Sequence, residues 1–258
     1  MKSSLLLILT SYVLSFSAAV FYVFSKRRPA ARFSSVALFA GFFLHTIILF
    51  YQGYLSGRLP VAGVFETLFF YSWAVSGVSA IVGWRYNERL TGLIMMPLSI
   101  TAFIFSFLNM TAPKKLPLIL RTYWFEIHVM TSFAAYALFT LALSSAVFFI
   151  IRSYRQGEGA RDFLDITGRA VLFGFFFFSV SMFSGAIWGF VAWGAYWMWE
   201  PKMLWSFVVW FWYGGAMHLW YMKERNGLRI SLAAVIGFFI TLFTYIGVGL
   251  LMKSSHSF

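Results

Sequence analysis

Long apolar runs alternate with short polar segments along almost the whole chain. Each run is close to the roughly 20 apolar residues that a helix needs to cross the hydrocarbon core of a bilayer. The pattern therefore predicts an all-α, polytopic membrane protein with about eight transmembrane helices. The predicted spans are residues 4–25, 33–54, 62–83, 91–109, 126–151, 170–191, 204–222 and 229–252. The longest polar insert, 152–169, is too short to fold alone, so residues 1–258 are predicted to form a single integral membrane domain.

The composition supports the bilayer as the environment of the chain. Hydrophobic residues make up 61% of the 258 positions and charged residues only 11%, whereas about a quarter of a soluble globular chain is charged. The first apolar run is too long for the core of a signal peptide, and its basic cluster follows it at residues 26–28. This run is therefore predicted to remain as the first helix.

The net charge of +12 indicates membrane orientation. In a soluble protein such a basic excess would suggest a nucleic acid partner, but here Lys and Arg lie in short loops, and no nucleic acid partner is expected. Thirteen of the 20 Lys and Arg residues fall on one set of alternate loops, which the positive-inside rule assigns to the cytoplasm. Both termini are then predicted on the outer, periplasmic or lumenal side, together with residues 53–62, 109–125 and 191–203.

The chain has no cysteine. It can form no disulfide, and it has no thiol of its own to serve as nucleophile, metal ligand or redox carrier. If the chain takes part in thiol chemistry, the thiols must belong to its substrate or to a partner.

The four histidines are predicted at two different depths. His45 lies near the middle of the second span, and His218 lies in the seventh span, about 8 Å from its end at 1.5 Å per residue. His128 opens the fifth span on the outer side, and His256 lies in the outer tail. Ionisable groups inside a membrane suggest function, and neutral imidazole is a common axial ligand of haem iron. The alternative for each histidine is a helix–helix hydrogen bond or simple solvation.

Aromatic residues are concentrated in a segment predicted to face outward, residues 188–205, which we call the tryptophan-rich segment. It holds five tryptophans, one tyrosine and one carboxylate within 18 residues. An aromatic belt at the headgroup level is one explanation, but belts are diffuse. A dense cluster of planar side chains suits a flat apolar ligand, and Lys202 and Arg121 could contact carboxylates at its rim. Haem has a flat apolar ring, two carboxylates and an iron that binds imidazole, and it fits these features.

Several motifs in a fixed order extend over most of the chain. They are FLHT at 43–46, VFET at 64–67, WFEIHV at 124–129, WGAYWMWEPKMLWS at 193–206, MHL at 217–219, TYIGVG at 244–249 and SHSF at 255–258. Together they resemble the WWD signature and the four histidine segments of the cytochrome c assembly proteins of the CcsA/ResC type. The chain departs from that pattern at three places. Glu200 stands where aspartate is usual, Gly63 stands where asparagine is usual, and the tail ends two residues after His256.

The resemblance implies a specific haem site. Haem b would occupy a site between His45 and His218 inside the membrane, and His128 and His256 would then hold it at the outer face as axial ligands. The implied haem platform consists of Trp188, Trp193, Tyr196, Trp197, Trp199, Glu200 and Trp205. Lys202 and Arg121 are the candidate contacts to the haem propionates. No catalytic residue is assigned.

The resemblance also implies a function in cytochrome c maturation. The chain would present haem at the outer face for covalent attachment to the CXXCH cysteines of apocytochrome c. A ResB/CcsB-type membrane protein is the expected partner, and haem lyase (holocytochrome c synthase) activity is expected only in complex with it. Whether the chain alone counts as an enzyme is a matter of definition. The cell inner (plasma) membrane is favoured over the thylakoid membrane, because nothing in the sequence resembles a transit peptide.

Two other functions remain as alternatives. A b-type haem anchor for electron transfer would use His45 and His218 alone, and it would not need the dense outer aromatic run. A haem transporter would use the tryptophan-rich segment as a gate, and it should show an intramembrane cavity or broken helices. The sequence gives no clear sign of either feature.

Overall fold

The computed structural model of the chain is helical. It describes residues 2–86, 89–110, 117–156, 159–222 and 226–252, and no β-strand occurs within those ranges. The main helices are α1 (Lys2–Ser25), α2 (Arg28–Ser56), α3 (Val64–Arg85), α4 (Gly92–Leu108), α5 (Tyr123–Tyr154), α6 (Ala160–Trp193), α7 (Pro201–Tyr221) and α8 (Gly227–Leu242). A 3₁₀-helix at Leu118–Leu120 precedes α5, and a π-helix at Phe243–Gly247 joins α8 to the short α9 (Val248–Leu251).

Six helices in the described part of the chain are long and apolar enough to cross a membrane. They are α1, α2, α3, α5, α6 and the helix that runs from α8 through the π-helix. The apolar α4 has only 17 residues, and α7 is not among the six. Large apolar side chains such as Phe24, Phe50 and Phe183 lie on the surface, as expected where lipid replaces water. The prediction of an all-α membrane protein is confirmed, and the number of helices that cross the bilayer stays a prediction.

Each predicted span coincides with one helix, but α5 begins three residues before the predicted fifth span and α6 begins ten residues before the predicted sixth span. The α5 helix begins at Tyr123, so His128 lies in its second turn and does not open it. The α6 helix begins at Ala160, inside the segment that the sequence predicts to be a polar insert. At 1.5 Å per residue these helices are about 48 and 51 Å long, against roughly 30 Å of hydrocarbon. Hydropathy marks the apolar part of a helix, whereas the hydrogen-bonded helix continues past it into polar residues.

The helices form two compact units, Met1–Lys115 and Leu116–Phe258. In the first unit α1 packs along α2, α3 packs along α4, and α1 also contacts α4. In the second unit α5 and α6 make the most extensive contact, and α8 packs against both α5 and α7.

Serine hydroxyls connect the helices of the first unit. The Ser99 hydroxyl lies 2.9 Å from that of Ser72 and 2.7 Å from that of Ser76, which joins α4 to α3. Ser15 and Ser34 each donate to the other's backbone carbonyl at 2.9 Å, which joins α1 to α2. Small polar residues of this kind let membrane helices approach closely and satisfy one another's polar groups.

Aromatic rings and glycines make the close contacts of the second unit. Phe139 of α5 lies flat on Tyr213 of α7, with ring centroids 3.6 Å apart. A Cβ atom at Gly174 of α6 would lie 2.5 Å from the Phe139 ring, and one at Gly168 would lie 2.4 Å from Trp220 of α7. These contacts join α6 to α5 and α7, and so they position the tryptophan-rich segment between α6 and α7.

Candidate functional site

His128 has a defined tautomer and a defined neighbour. It is half-buried in the second turn of α5. Its Nδ1 lies 2.8 Å from the backbone carbonyl oxygen of Ser181 on α6 and 3.1 Å from the Ser181 hydroxyl. A carbonyl oxygen can only accept, so Nδ1 carries the proton and Nε2 carries the lone pair. Metal-binding histidines commonly donate their second ring N–H to a backbone carbonyl in this way.

Small residues on both helices hold this imidazole. A Cβ atom at Gly185 would lie 2.6 Å from Nδ1 of His128, so the approach of α6 requires glycine there. Ser132, one turn further along α5, donates to the backbone carbonyl of His128 at 2.7 Å. The Ser132 hydroxyl also lies 2.5 Å from that of Ser181. Both the ring and the backbone of His128 are therefore fastened to the α5–α6 pair.

Trp188 connects His128 to the tryptophan-rich segment. It is only 3% exposed, and its indole N–H donates to the backbone carbonyl of Ile119 at 2.8 Å. Its ring is stacked beside His128 at a centroid distance of 6.0 Å and meets Trp193 edge-on at 5.0 Å. Because Trp188 is buried, it supports the imidazole from within the protein in this conformation.

The turn between α6 and α7 is set by residues suited to their positions. The α6 helix ends at Trp193, and Gly194 follows it with φ 75°, a left-handed conformation that favours glycine. The α7 helix begins at Pro201, whose ring suits the first helical position. Glu200 is the N-cap residue, beside the positive end of the helix dipole.

Two aromatic residues of this turn are exposed. Trp199 is 82% exposed and Tyr196 is 57% exposed. Tyr196 lies almost parallel to Phe190, with centroids 4.4 Å apart. The half-buried Trp197 meets Trp199 edge-on at 5.6 Å and Phe207 edge-on at 4.8 Å. The tryptophan-rich segment thus offers aromatic faces on a base of other rings, as a binding surface for a flat apolar ligand requires.

The remaining platform and rim residues lie at the starts of α7 and α5. Trp205 is half-buried and packs edge-on against Phe243, the first residue of the π-helix, at 4.6 Å. Lys202 is half-buried just before the predicted seventh span, and burial lowers the pKa of its ammonium group. Arg121 is exposed two residues before α5. A partly desolvated cation such as Lys202 is stabilised by a carboxylate partner.

His45 lies in a closed aromatic cluster of the first unit. It is 0% exposed, and its Nδ1 lies 3.0 Å from the Tyr12 hydroxyl. The rings of Phe69 and Phe103 are centred 4.0 and 5.4 Å from the imidazole. Its Nε2 is buried without a hydrogen-bond partner among the described residues, which is unfavourable for a polar atom. The unpartnered nitrogen fits an iron ligand in its chemistry, although the surrounding rings enclose it.

The other two predicted ligands are His218 and His256. His218 is exposed in the last turn of α7, and its Nδ1 lies 2.8 Å from the Gly214 carbonyl. It belongs to the second unit, whereas His45 belongs to the first. His256 lies outside the described residues. Of the four predicted ligands, the structure brings His128 together with the tryptophan-rich segment.

Sequence reasoning missed the residues of α6 that hold His128. Ser181 and Gly185 stand four residues apart in α6, and Gly189, four residues further on, continues this spacing into the tryptophan-rich segment. Small residues at this spacing favour a close approach between membrane helices. The pattern could have predicted a tight contact of α6, although the partner of that contact is visible only in the fold.

An ion pair in the first unit was also missed. Arg58 donates two parallel hydrogen bonds to Glu66, one of 2.7 Å from Nη1 to Oε2 and one of 2.8 Å from Nη2 to Oε1. Glu66 also accepts the backbone N–H of Ala62 at 2.7 Å. From the sequence, Glu66 was recognised only as part of the VFET motif, and Arg58 only as one of the positive charges in the loops. Together they fasten the segment between α2 and α3.

Comparisons with known proteins agree with these features. The family model described as cytochrome C assembly protein matches residues 61–256. Two relatives are both named cytochrome c biogenesis protein CcsA. The one from Prochlorococcus marinus (strain MIT 9215) is 28% identical, over 84% of this chain and 81% of the relative. The one from Guillardia theta is 26% identical, over 83% of this chain and 81% of the relative.

A solved structure, cytochrome c heme lyase CcmF, has the same fold over 98% of this chain. The TM-score is 0.75 and the sequence identity is 13%, so this likeness concerns the fold alone. The chain spans 46% of the length of that protein. Because the family model matches residues 61–256, which are most of the sequence, the chain belongs to the cytochrome c assembly protein family, of the CcsA/ResC type.

Proposed function

We propose that this chain takes up haem within the membrane and holds it at its outer face for attachment to apocytochrome c. The observation that carries the proposal is the His128 site, where the bond to Ser181 assigns the lone pair to Nε2 beside an aromatic surface. Membership of the cytochrome c assembly family and the names of the CcsA relatives support the same function.

His128 and His256 are the proposed axial ligands of the outer haem. The argument for His128 is its fixed tautomer and its contact with Trp188. The argument for His256 is the resemblance alone. Imidazole ligation from two sides would hold the iron and set the orientation of the ring, as bis-histidine ligation does in other haem proteins.

The exposed rings of the tryptophan-rich segment are the proposed contact surface for the porphyrin. Tyr196 and Trp199 offer the largest exposed faces, with Trp193 and Trp197 beside them. Trp188 and Trp205 would support this surface from behind. Lys202 and Arg121 are the proposed partners of the haem propionates, and Glu200 occupies the N-cap position of the helix on which Lys202 lies.

Within the membrane, haem b is proposed to bind His45 and His218. The Nε2 of His45, which has no hydrogen-bond partner in the described part of the chain, supports its role. His218 has its Nδ1 engaged by the Gly214 carbonyl, so its lone pair lies on Nε2 in the same sense as in His128. Binding at His45 requires the surrounding rings to move, because the imidazole is enclosed.

The proposed membrane arrangement has eight spans, with both termini on the outer side of the plasma membrane. It rests on the distribution of Lys and Arg between alternate loops. Residues 1–258 would act as one integral membrane domain. A ResB/CcsB-type membrane protein is the proposed partner in attachment.

The chain's own part in the attachment step is to position the reactants. Each thioether forms when an apocytochrome S–H adds across a haem vinyl C=C, so sulfur joins one carbon and hydrogen the other, with no leaving group. This chain has no cysteine, and the reacting thiols come from the CXXCH segment. Holding the haem fixed while that segment docks supplies the entropic advantage of an intramolecular reaction.

Covalent attachment in a reconstituted pathway tests this function. The chain is co-expressed with a ResB/CcsB-type partner and a reporter apocytochrome that contains CXXCH. Haem staining of the denatured reporter measures attachment, and absorbance spectra of the purified chain measure bound haem. Wild type is compared with His128→Ala, His256→Ala, His45→Ala and His218→Ala. We expect all four variants to lower attachment, and His128→Ala and His256→Ala to lose the outer haem.

Trp199→Ala and Phe24→Ala form a matched pair for the platform, because both remove a highly exposed aromatic side chain. Phe24 is 83% exposed on α1, in the first unit. Attachment should fall in Trp199→Ala and stay unchanged in Phe24→Ala. Full attachment in His128→Ala, with haem lost in the two intramembrane variants, would favour a b-type electron-transfer anchor. Absence of haem from every preparation would contradict the proposal.

A further inference from the structure

A cavity opens in the first unit at the end where its basic loops lie. It has a volume of about 280 Å³, and it is lined by the second half of α1, the second and third turns of α2, the last two turns of α3 and the first two turns of α4. Its polar lining consists of Ser15, Ser34, Ser35, Ser79 and Arg89. The volume is several times the roughly 30 Å³ that one water molecule takes up in the liquid, so the cavity has room for a larger group.

Arg89 differs from the other cations at this end of the unit. Its Nε is buried and has no hydrogen-bond partner among the described residues. Its guanidinium carbon lies 5.8 Å from the centre of the Tyr22 ring. Lys26, Arg28 and Arg85 are exposed there and can be hydrated. A guanidinium N–H that is buried without an acceptor is unfavourable until a ligand supplies one.

The lining favours an anion that carries several oxygen atoms. Arginine only donates hydrogen bonds, and its planar group pairs well with phosphate oxygens. Ser79 places a hydroxyl in the same lining, and α4 begins there at Gly92 with the positive end of its dipole. None of the described residues that line the cavity is Asp or Glu.

The apolar part of the cavity indicates an anion attached to a hydrocarbon chain. Leu38 and Met96 line it, and Phe39 and Trp84 at its edge are 45% and 76% exposed. Phe39 and Trp84 belong to helices that are apolar enough to cross a membrane. We propose that this cavity binds the phosphate group of an anionic phospholipid through Arg89, with the acyl chains against these exposed rings. Basic pockets between membrane helices bind anionic headgroups by the same physical chemistry.

Thermal unfolding of the purified full chain tests this proposal. The unfolding temperature is measured in mixed micelles with phosphatidylglycerol, in mixed micelles with phosphatidylcholine, and in detergent with inorganic phosphate. Phosphatidylglycerol should raise the unfolding temperature of wild type by about 2–4 °C above that in phosphatidylcholine. Native mass spectrometry should find phosphatidylglycerol retained on the wild-type chain.

Arg89→Gln should abolish both the temperature shift and the retained lipid. Arg85→Gln is the matched control, because it removes the same charge from an exposed residue at the same end, and it should keep both. Ala19→Leu fills the cavity with apolar atoms without changing charge and should lose both, which also covers the case in which Arg89→Gln fails to fold. If Arg89→Gln and Ala19→Leu kept a temperature shift as large as that of wild type, the proposed site would be overturned. Loss of the shift in Arg85→Gln would overturn it as well. A shift with inorganic phosphate alone would overturn the assignment to a lipid.

Discussion

His45 and His128 both lie on membrane helices, but their surroundings differ in almost every respect. His45 is enclosed by aromatic rings, and its Nδ1 is hydrogen-bonded to a tyrosine hydroxyl. Its Nε2 has no hydrogen-bond partner among the residues that the structure describes. His128 is half-buried near a helix start, bonded to a backbone carbonyl through Nδ1, and connected through Trp188 to Trp193 of the tryptophan-rich segment.

The difference shows two ways in which a protein can set the tautomer of an imidazole before a ligand binds. A backbone carbonyl fixes the tautomer of His128 without any requirement for a particular side chain. The tautomer of His45 follows the orientation of the Tyr12 hydroxyl, which can donate or accept. We therefore expect His128 to bind haem with little rearrangement and His45 to bind it only after its aromatic cluster opens.

Removal of the imidazoles should break this comparison most strongly. In His128→Ala, covalent attachment should fall by more than about 10-fold, because removal of a ligand costs at least as much as removal of its outer hydrogen-bond partner, which typically costs about 10- to 100-fold. Added imidazole should restore part of it, because the site adjoins the surface. His45→Ala should also lower attachment, but added imidazole should not restore it, because the site is closed. The measurement is haem staining of the reporter against imidazole concentration. Equal rescue of both variants would show that the two sites do not differ in access.

Gly185→Ala tests whether the close approach of α6 holds His128. The added Cβ would lie 2.6 Å from Nδ1, and overpacking of this kind destabilises by about 1–3 kcal/mol. Haem occupancy and unfolding temperature should both fall. Gly215→Ala is the matched control, because a Cβ there meets nothing within 4 Å and alanine favours helix by up to about 1 kcal/mol. If the two variants have the same haem spectrum and stability, the contact does not hold the imidazole.

Tyr12→Phe tests the support of the enclosed imidazole. It would leave Nδ1 of His45 without its hydroxyl partner, and an unsatisfied buried polar group costs about 1–3 kcal/mol. The unfolding temperature should drop, while the spectrum of the outer haem stays unchanged. Tyr51→Phe, on the exposed face of α2, should change stability by less than about 0.5 kcal/mol. A changed outer-haem spectrum in Tyr12→Phe would contradict the separation of the two sites.

Ser132→Ala should have the smallest effect. It removes the hydroxyl next to Ser181 but leaves the hydrogen bond between Nδ1 of His128 and the Ser181 carbonyl. The free energy of unfolding should therefore fall by about 0.5–1.5 kcal/mol, and haem affinity should fall by less than about 10-fold. Ser145→Ala removes a similar hydroxyl pair, with Thr167, elsewhere between α5 and α6. It should lower stability alike without changing haem affinity. Equal affinity in both variants would show that the Ser132 hydroxyl has no part in holding His128.

Much of the fold follows from local hydropathy, because the transfer of side chains into hydrocarbon adds up along a helix. The apolar runs located every long helix, although they missed the first turns of α6 from Ala160 onward. The tryptophan-rich segment was recognisable because tryptophan, a rare residue type, recurs at short spacings, and the four histidines were recognisable because they are the only histidines of the chain. The start of α7 at Pro201 was also predictable, since the proline ring suits the first turn of a helix.

The contacts of the site were not predictable, because they join residues far apart in the chain. Ser181 lies 53 residues from His128, and no local pattern assigns them to each other. Trp188 is a second example. It was predicted as a platform residue, and it is buried, with its indole N–H donating to the backbone carbonyl of Ile119, 69 residues away in the chain. Its exposure depends on how α5 and α6 pack.

Hydropathy, charge and motif order were sufficient to establish a helical membrane protein of the cytochrome c assembly family. The packing of the helices decided which nitrogen of His128 carries the proton, which aromatic rings face outward, and that Arg89 lies beside a cavity. Hydropathy depends on each residue by itself, whereas hydrogen-bond geometry, exposure and cavities depend on which distant residues meet.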